Sequence, residues 1–109
     1  MKLFITYSLL VFSLTLMAQE KDKNLPKGNE EYASKEYAQA EAEYRISGSK
    51  NAKKSIAKYN LGNAIYRQNQ SAEAKLSYEN AIKASTSRPE KHQAFHNLGN
   101  VYMNEKNYG

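Results

Sequence analysis

The sequence predicts an all-α fold made of antiparallel helical hairpins stacked side by side, and three observations carry that prediction. Asn60-Leu61-Gly62-Asn63 returns thirty-seven residues later as Asn97-Leu98-Gly99-Asn100. An abridged copy, Gly28-Asn29, stands thirty-four residues ahead of Gly62-Asn63. Between the two full copies, Ile56, Leu61, Ala64 and Ile65 recur at helical spacing, Gln68-Asn69-Gln70-Ser71 interrupts them, and Ala74, Tyr78, Ala81 and Ile82 open a second apolar stripe. Two helices folded back on each other follow from that pattern. Self-similarity at this period belongs to units that bury a face only by stacking, and it turns the question of function from chemistry to binding.

Length and composition agree. A chain of 109 residues with 40% hydrophobic residues holds at most one small domain. At this size a conventional core is marginal, and disulfides cannot supplement it because there is no cysteine. Nine Tyr and no Trp point to packing by rings that keep one polar end.

The elements are justified in chain order. Lys2 precedes the uncharged, strongly apolar stretch Leu3 to Met17, and Ala18 is a small residue before a cut that would leave Gln19 first. Residues 1–18 therefore read as a secretory signal peptide, shorter than the roughly 20 residues that span a bilayer. The alternative is an uncut anchor. A short polar linker over residues 19–23 leads into a repeat domain over 24–109, with repeats at about 24–50, 51–86 and 89–109.

In the first repeat, Gly28, Tyr37, Ala40 and Tyr44 hold repeat positions, whereas Lys27, Glu31 and Ser47 are polar where apolar or small residues are expected, as suits an end cap. Gly48 is read as a positive-φ residue just past a helix end, with Ser49 or Asn51 capping the next helix. In the second repeat, Gly62 and Ala74 are small where two helices cross, and Tyr78 is expected between hairpins with its hydroxyl at the edge. Ser87-Arg88-Pro89-Glu90 reads as an N-cap, a first-turn proline and a capping-box acid. Tyr108 matches Tyr37, and the sequence stops one residue later, so the third repeat reads as cut short after its first helix; the alternative is that residues 89–105 form a lone closing helix.

Charge is uneven. Residues 19–47 carry five bases and seven acids, and residues 48–109 carry ten bases and four acids. Lys50, Lys53, Lys54 and Lys58 form the sharpest cluster, either a surface for acidic partners or a solvated helix start. Export argues against nucleic acid as the partner.

Catalysis has no support in the sequence. No Gly-rich phosphate loop and no cysteine nucleophile occur. His92 and His96 are spaced to face one metal ion, but no cysteine or acid cluster completes a site, so they read as surface residues. Glu30, Glu31, Glu41 and Glu43 read as solvent-facing helix residues. No metal or cofactor is expected.

These copies resemble the tetratricopeptide repeat, whose pattern is W-x-x-L-G-x-x-Y followed by A-x-x-x-F and A. Phe95, Leu98, Gly99 and Tyr102 match the whole first-helix signature; Leu61, Gly62, Ala74, Tyr78 and Ala81 match most of the second copy, with Lys58 and Ile65 departing from it. The resemblance covers residues 24–109 and implies a right-handed solenoid of two repeats plus the first helix of a third. It also implies a concave face that captures a peptide or protein. On that face fall Asn29, Asn63 and Asn100 at one equivalent place, Tyr32, Tyr66 and Met103 one turn on, Arg67 and Asn104 beside the latter two, and Tyr59 and His96 one turn earlier. Asparagine can donate to and accept from a peptide backbone, and tyrosine supplies rigid contact area. The competing reading is that these asparagines bond within the hairpin. Leu25, Gln93 and Asn97 occupy the places where a carboxylate-clamping variant of the family requires bases, so a chaperone-tail ligand is not expected.

Lys27 to Tyr32, Tyr37 to Arg45, Leu61 to Gln68 and His96 to Asn100 are further similar to the repeat proteins of Bacteroidetes aerotolerance (Bat) operons. That similarity implies a periplasmic scaffold working beside membrane proteins with von Willebrand A domains. The alternative function is a membrane-anchored basic adaptor using an uncleaved N-terminal helix and the lysine cluster.

Overall fold

The computed structural model describes residues 22–51 and 54–107. The expected signal peptide, most of the 19–23 linker, Lys53 and Tyr108 lie outside the described residues. The described residues form five helices: α1 Asn24–Ala33, α2 Tyr37–Lys50, α3 Ser55–Arg67, α4 Ser71–Ala84 and α5 Arg88–Asn107. Each helix packs on the next, and α3 also touches α5. The fold is all-α, as the periodicity predicts. Among the described residues no helix is long and apolar enough to cross a membrane.

Helices α1 and α2 run antiparallel. Asn24 and Lys27, at the start of α1, reach Glu43 and Lys50, near the end of α2. The turns that close the two hairpins are alike. Glu36 N–H bonds to the Glu31 carbonyl and Gln70 N–H to the Ile65 carbonyl, and the residues just before, Lys35 and Asn69, take φ of 62° and 63°. This is the Schellman closure, recurring at the repeat period with a lysine and an asparagine in the left-handed position that glycine usually fills.

The core consists of two clusters that share Leu61. Ala40, Tyr44 and Ala64 pack with Leu25, Tyr32 and Leu61; Ile65, Ala74, Tyr78 and Val101 pack with Tyr59, Leu61, Tyr66 and Leu98. Gly62 is small for a different reason from the expected close approach of helix axes. A Cβ there would stand 2.6 Å from the Tyr78 ring, and one on Gly28 would stand 2.7 Å from the Tyr44 ring. Each glycine is the floor on which a tyrosine of the following helix lies.

Several boundary expectations are corrected. Gly48 does not end α2, which runs through it to Lys50, and no glycine among the described residues has positive φ. Ser49 returns its hydroxyl to the Ile46 carbonyl, Asn51 sits at the C-cap of α2, and Lys54 holds the N-cap position of α3. The Ser87 cap is present: Glu90 N–H bonds to Ser87 Oγ at 3.4 Å. The Glu90 carboxylate, however, turns to Ser55 Oγ at 2.8 Å, tying α5 to α3 in place of a reciprocal capping box.

Asp22, expected in a linker, is a clamp. It accepts the Asn24 N–H at 2.9 Å, the Ser47 hydroxyl and the Lys54 ammonium, joining the start of α1 to α2 and to the entry of α3. The hydrogen bonds from Lys54 and Ser47 hold its carboxyl well below the usual carboxylate range. Part of the lysine cluster is thereby absorbed, because Lys50 also bonds to Asn24 Oδ1 at 2.6 Å.

Two predictions follow from these contacts. Gly62→Ala is expected to lower stability by about 1–2 kcal/mol, since overpacking outweighs the gain in helix propensity, whereas Gly99→Ala, with nothing within 4 Å of the added Cβ, is neutral or stabilising. Denaturant melts followed by circular dichroism compare the two, and equal losses would contradict this account. For Asp22, a depressed folded pKa contributes stability above the unfolded pKa of about 3.9, and that contribution is lost as pH falls. Asp22→Asn is expected to be less stable by roughly 1–2 kcal/mol at neutral pH, with the gap narrowing below about pH 4; a constant gap in acid would refute the clamp.

Candidate functional site: a polar face across three helices

The signature Asn-Leu-Gly-Asn is resolved atom by atom. Tyr78 lies on Gly62 and donates its hydroxyl to Asn63 Oδ1 at 2.6 Å; Asn97, from the next hairpin unit, donates Nδ2 to the same oxygen at 2.9 Å. One repeat earlier, Tyr44 lies on Gly28 and donates to Asn29 Oδ1 at 2.8 Å, and Asn60 donates to that oxygen at 3.3 Å. The closing asparagine of each of these two copies therefore accepts from both its own hairpin's tyrosine and the opening asparagine of the following copy. This couples neighbouring units through neutral hydrogen bonds.

Tyr78 is 1% exposed and Tyr44 2% exposed, so the Tyr78 hydroxyl is interior rather than at the edge. Burial, with the neighbouring Tyr32 and Glu31, pushes the Tyr44 phenol up to about 12. Burial likewise raises Tyr78, with Tyr59 close by at a ring separation of 6.0 Å.

The structure brings most of the expected site residues together. Asn29, Tyr32 and Asn63, with Asn60 and Tyr44, line a hollow of about 240 Å3. Tyr66, Arg67 and Asn104, with Asn69 and Ser71, line a second of about 510 Å3. Arg67 links the two: its Nε donates to Tyr32 Oη at 3.4 Å, and its guanidinium lies 5.7 Å from the Tyr37 ring centre. The Tyr32 hydrogen bond raises the Arg67 pKa above the ordinary guanidinium value, so the cation is permanent.

Four expected residues stand differently. Tyr59 is half-buried and accepts Asn97 Nδ2 at 2.8 Å, placing it in the seam between units. His96, Asn100 and Met103 are exposed on α5 and line neither hollow. Asn29 and Asn63 have their carbonyl oxygens committed within and between hairpins, as the competing reading holds, which leaves their amide groups as the donors for a ligand. Asn60, Asn69 and Ser71 line the hollows without having been expected there. Asn60 was legible, because it recurs as Asn97 at the repeat period; Asn69 and Ser71 depend on the turn geometry.

His92 and His96 are both exposed, and no group of three or more metal-ligating side chains occurs among the described residues. No protein-family model matches this chain, and a comparison with curated proteins likewise gives no match.

The burial of Tyr44 and Tyr78 predicts two-stage ionisation. Raised folded pKa values contribute stability below the unfolded pKa of about 10 and lose it as pH climbs past that value. In an alkaline titration read by phenolate absorbance, Tyr44 and Tyr78 should ionise only with loss of helical circular dichroism. A single smooth titration of every tyrosine in the folded state would contradict the burial.

Proposed function

We propose that this chain is a non-enzymatic binding scaffold of the tetratricopeptide type, a right-handed stack of two hairpins plus the first helix of a third. It takes a peptide or protein segment along the face shared by α1, α3 and α5. The observation that carries this reading is the continuity of the two hollows through the Tyr32–Arg67 hydrogen bond. Together they offer amide donors, tyrosine faces and one permanent cation in a row. That set matches a peptide backbone with a carboxylate at one place and holds no group poised for proton transfer.

The apolar leader over residues 1–18 supports export to the periplasm, and the similarity to Bat-operon repeat proteins supports a partner among membrane proteins with von Willebrand A domains, in an aerotolerance or stress complex. The membrane-adaptor alternative has less support, because Lys50 and Lys54 are engaged by Asn24 and Asp22.

The test uses two exposed residues that line the larger hollow. Arg67→Ala combined with Asn104→Ala is expected to leave the melting temperature within a few degrees of the parent and to cut recovery of the partner from a periplasmic extract about tenfold or more. Undiminished recovery with intact helicity would sink the groove.

A further inference from the structure

The two places where one hairpin meets the next unit can be compared position by position. Tyr32, Lys35 and Tyr37 correspond, thirty-four residues on, to Tyr66, Asn69 and Ser71, and Arg67 corresponds, thirty-seven residues on, to Asn104. At the first place the Tyr37 ring stands edge-on to the Tyr32 ring, with centres 5.2 Å apart, and the Arg67 guanidinium covers it at 5.7 Å from its centre. At the second, a serine replaces the ring and an asparagine replaces its cover. The hollow of about 510 Å3 lies there, lined by Tyr66, Arg67, Asn69, Ser71 and Asn104. All four corresponding positions are in that lining, so the hollow is the aromatic cluster of the first place with its ring taken out.

Its walls come from described residues of α3, the turn into α4, and α5. It is open because two side chains are small, and not because a helix is missing. What remains states the occupant. Tyr66 keeps the ring against which the corresponding tyrosine is set edge-on in the first place, an arrangement that aromatic pairs prefer. Asn69, Ser71 and Asn104 offer a hydroxyl and two carboxamides to a phenol. Arg67 gives its Nε to Tyr32, which leaves its Nη groups as donors for a carboxylate at the rim.

We propose that this hollow is the anchor of the groove: it takes a tyrosine side chain of the bound peptide, edge-on to Tyr66 and covered by Asn104, with the carboxylate of the next residue on Arg67. The proposal rests on the peptide-binding reading above and names the side chains that the groove selects. Insertion of the ring supplies the affinity, and the carboxylate sets the direction of the peptide.

The probe is the capped peptide Gly-Gly-Tyr-Asp-Gly, titrated against the isotope-labelled whole chain and followed by NMR. Saturable binding is expected, with resonance shifts at Asn69, Ser71 and Asn104. Leucine in place of the peptide's tyrosine should weaken binding about fivefold or more, and asparagine in place of its aspartate about threefold. Ser71→Tyr combined with Asn104→Arg rebuilds the first place in the second; it should keep or raise the melting temperature and abolish binding, because the chain then fills its own slot. Undiminished binding in that variant with helicity intact would overturn the proposal, as would equal affinity for the leucine peptide or shifts confined to the smaller hollow around Asn29 and Asn60. Tighter binding to Tyr108→Ala would also overturn it, by assigning the slot to the chain's own tyrosine. The groove and its anchor fail separately. Partner recovery that depends on Arg67 and Asn104, in a chain that does not bind the probe, removes the anchor and leaves the groove; probe binding with recovery unchanged in Arg67→Ala with Asn104→Ala supports the anchor and removes the groove.

Discussion

The arrangement depends on one contact made twice: a tyrosine ring packed directly against a glycine, with its hydroxyl delivered to the asparagine that follows that glycine. The glycine is needed because any Cβ would enter the ring. The tyrosine is needed because only a large ring with a polar end fills the slot and still satisfies the asparagine in a buried setting. The asparagine in turn accepts from the asparagine of the next unit. Packing within a hairpin and registry between hairpins therefore share a single oxygen atom, Asn29 Oδ1 in one case and Asn63 Oδ1 in the other.

That sharing shapes the candidate site. The ladder of asparagines spends its acceptors on the fold and keeps amide donors for the polar face. Tyr32 and Arg67 complete the face by bridging α1 to α3, so the surface is organised before any ligand arrives. Preorganisation of this kind lowers the ordering cost of binding.

Much of the fold was legible in the sequence, because a period is visible without knowing any contact. The helices, the Ser87 cap and the restart at Pro89 follow from spacing and local chemistry. The clamp at Asp22 was not legible: its partners, Ser47 and Lys54, lie twenty-five and thirty-two residues away and carry no motif. Gly48 misled for a related reason, since a glycine beside an Asn and two serines reads as a helix end, while the packing of α2 on α3 carries the helix through it. At the site, the repeat period placed Asn29, Tyr32, Asn63, Tyr66, Arg67 and Asn104 on one face. It did not show that Tyr59 is turned into the seam, because that depends on a hydrogen bond from Asn97, thirty-eight residues away, and on contact with the Tyr78 ring.

The most direct test of the shared-oxygen account is a double-mutant cycle on Asn63, comparing Tyr78→Phe, Asn97→Ala and their combination by denaturant unfolding. If one carboxamide oxygen joins the hairpin to its neighbour, the two losses couple by about 0.5–1 kcal/mol, since each hydrogen bond fixes the acceptor for the other. Strict additivity would mean that the two bonds form independently and that the asparagine does not hold the units in register.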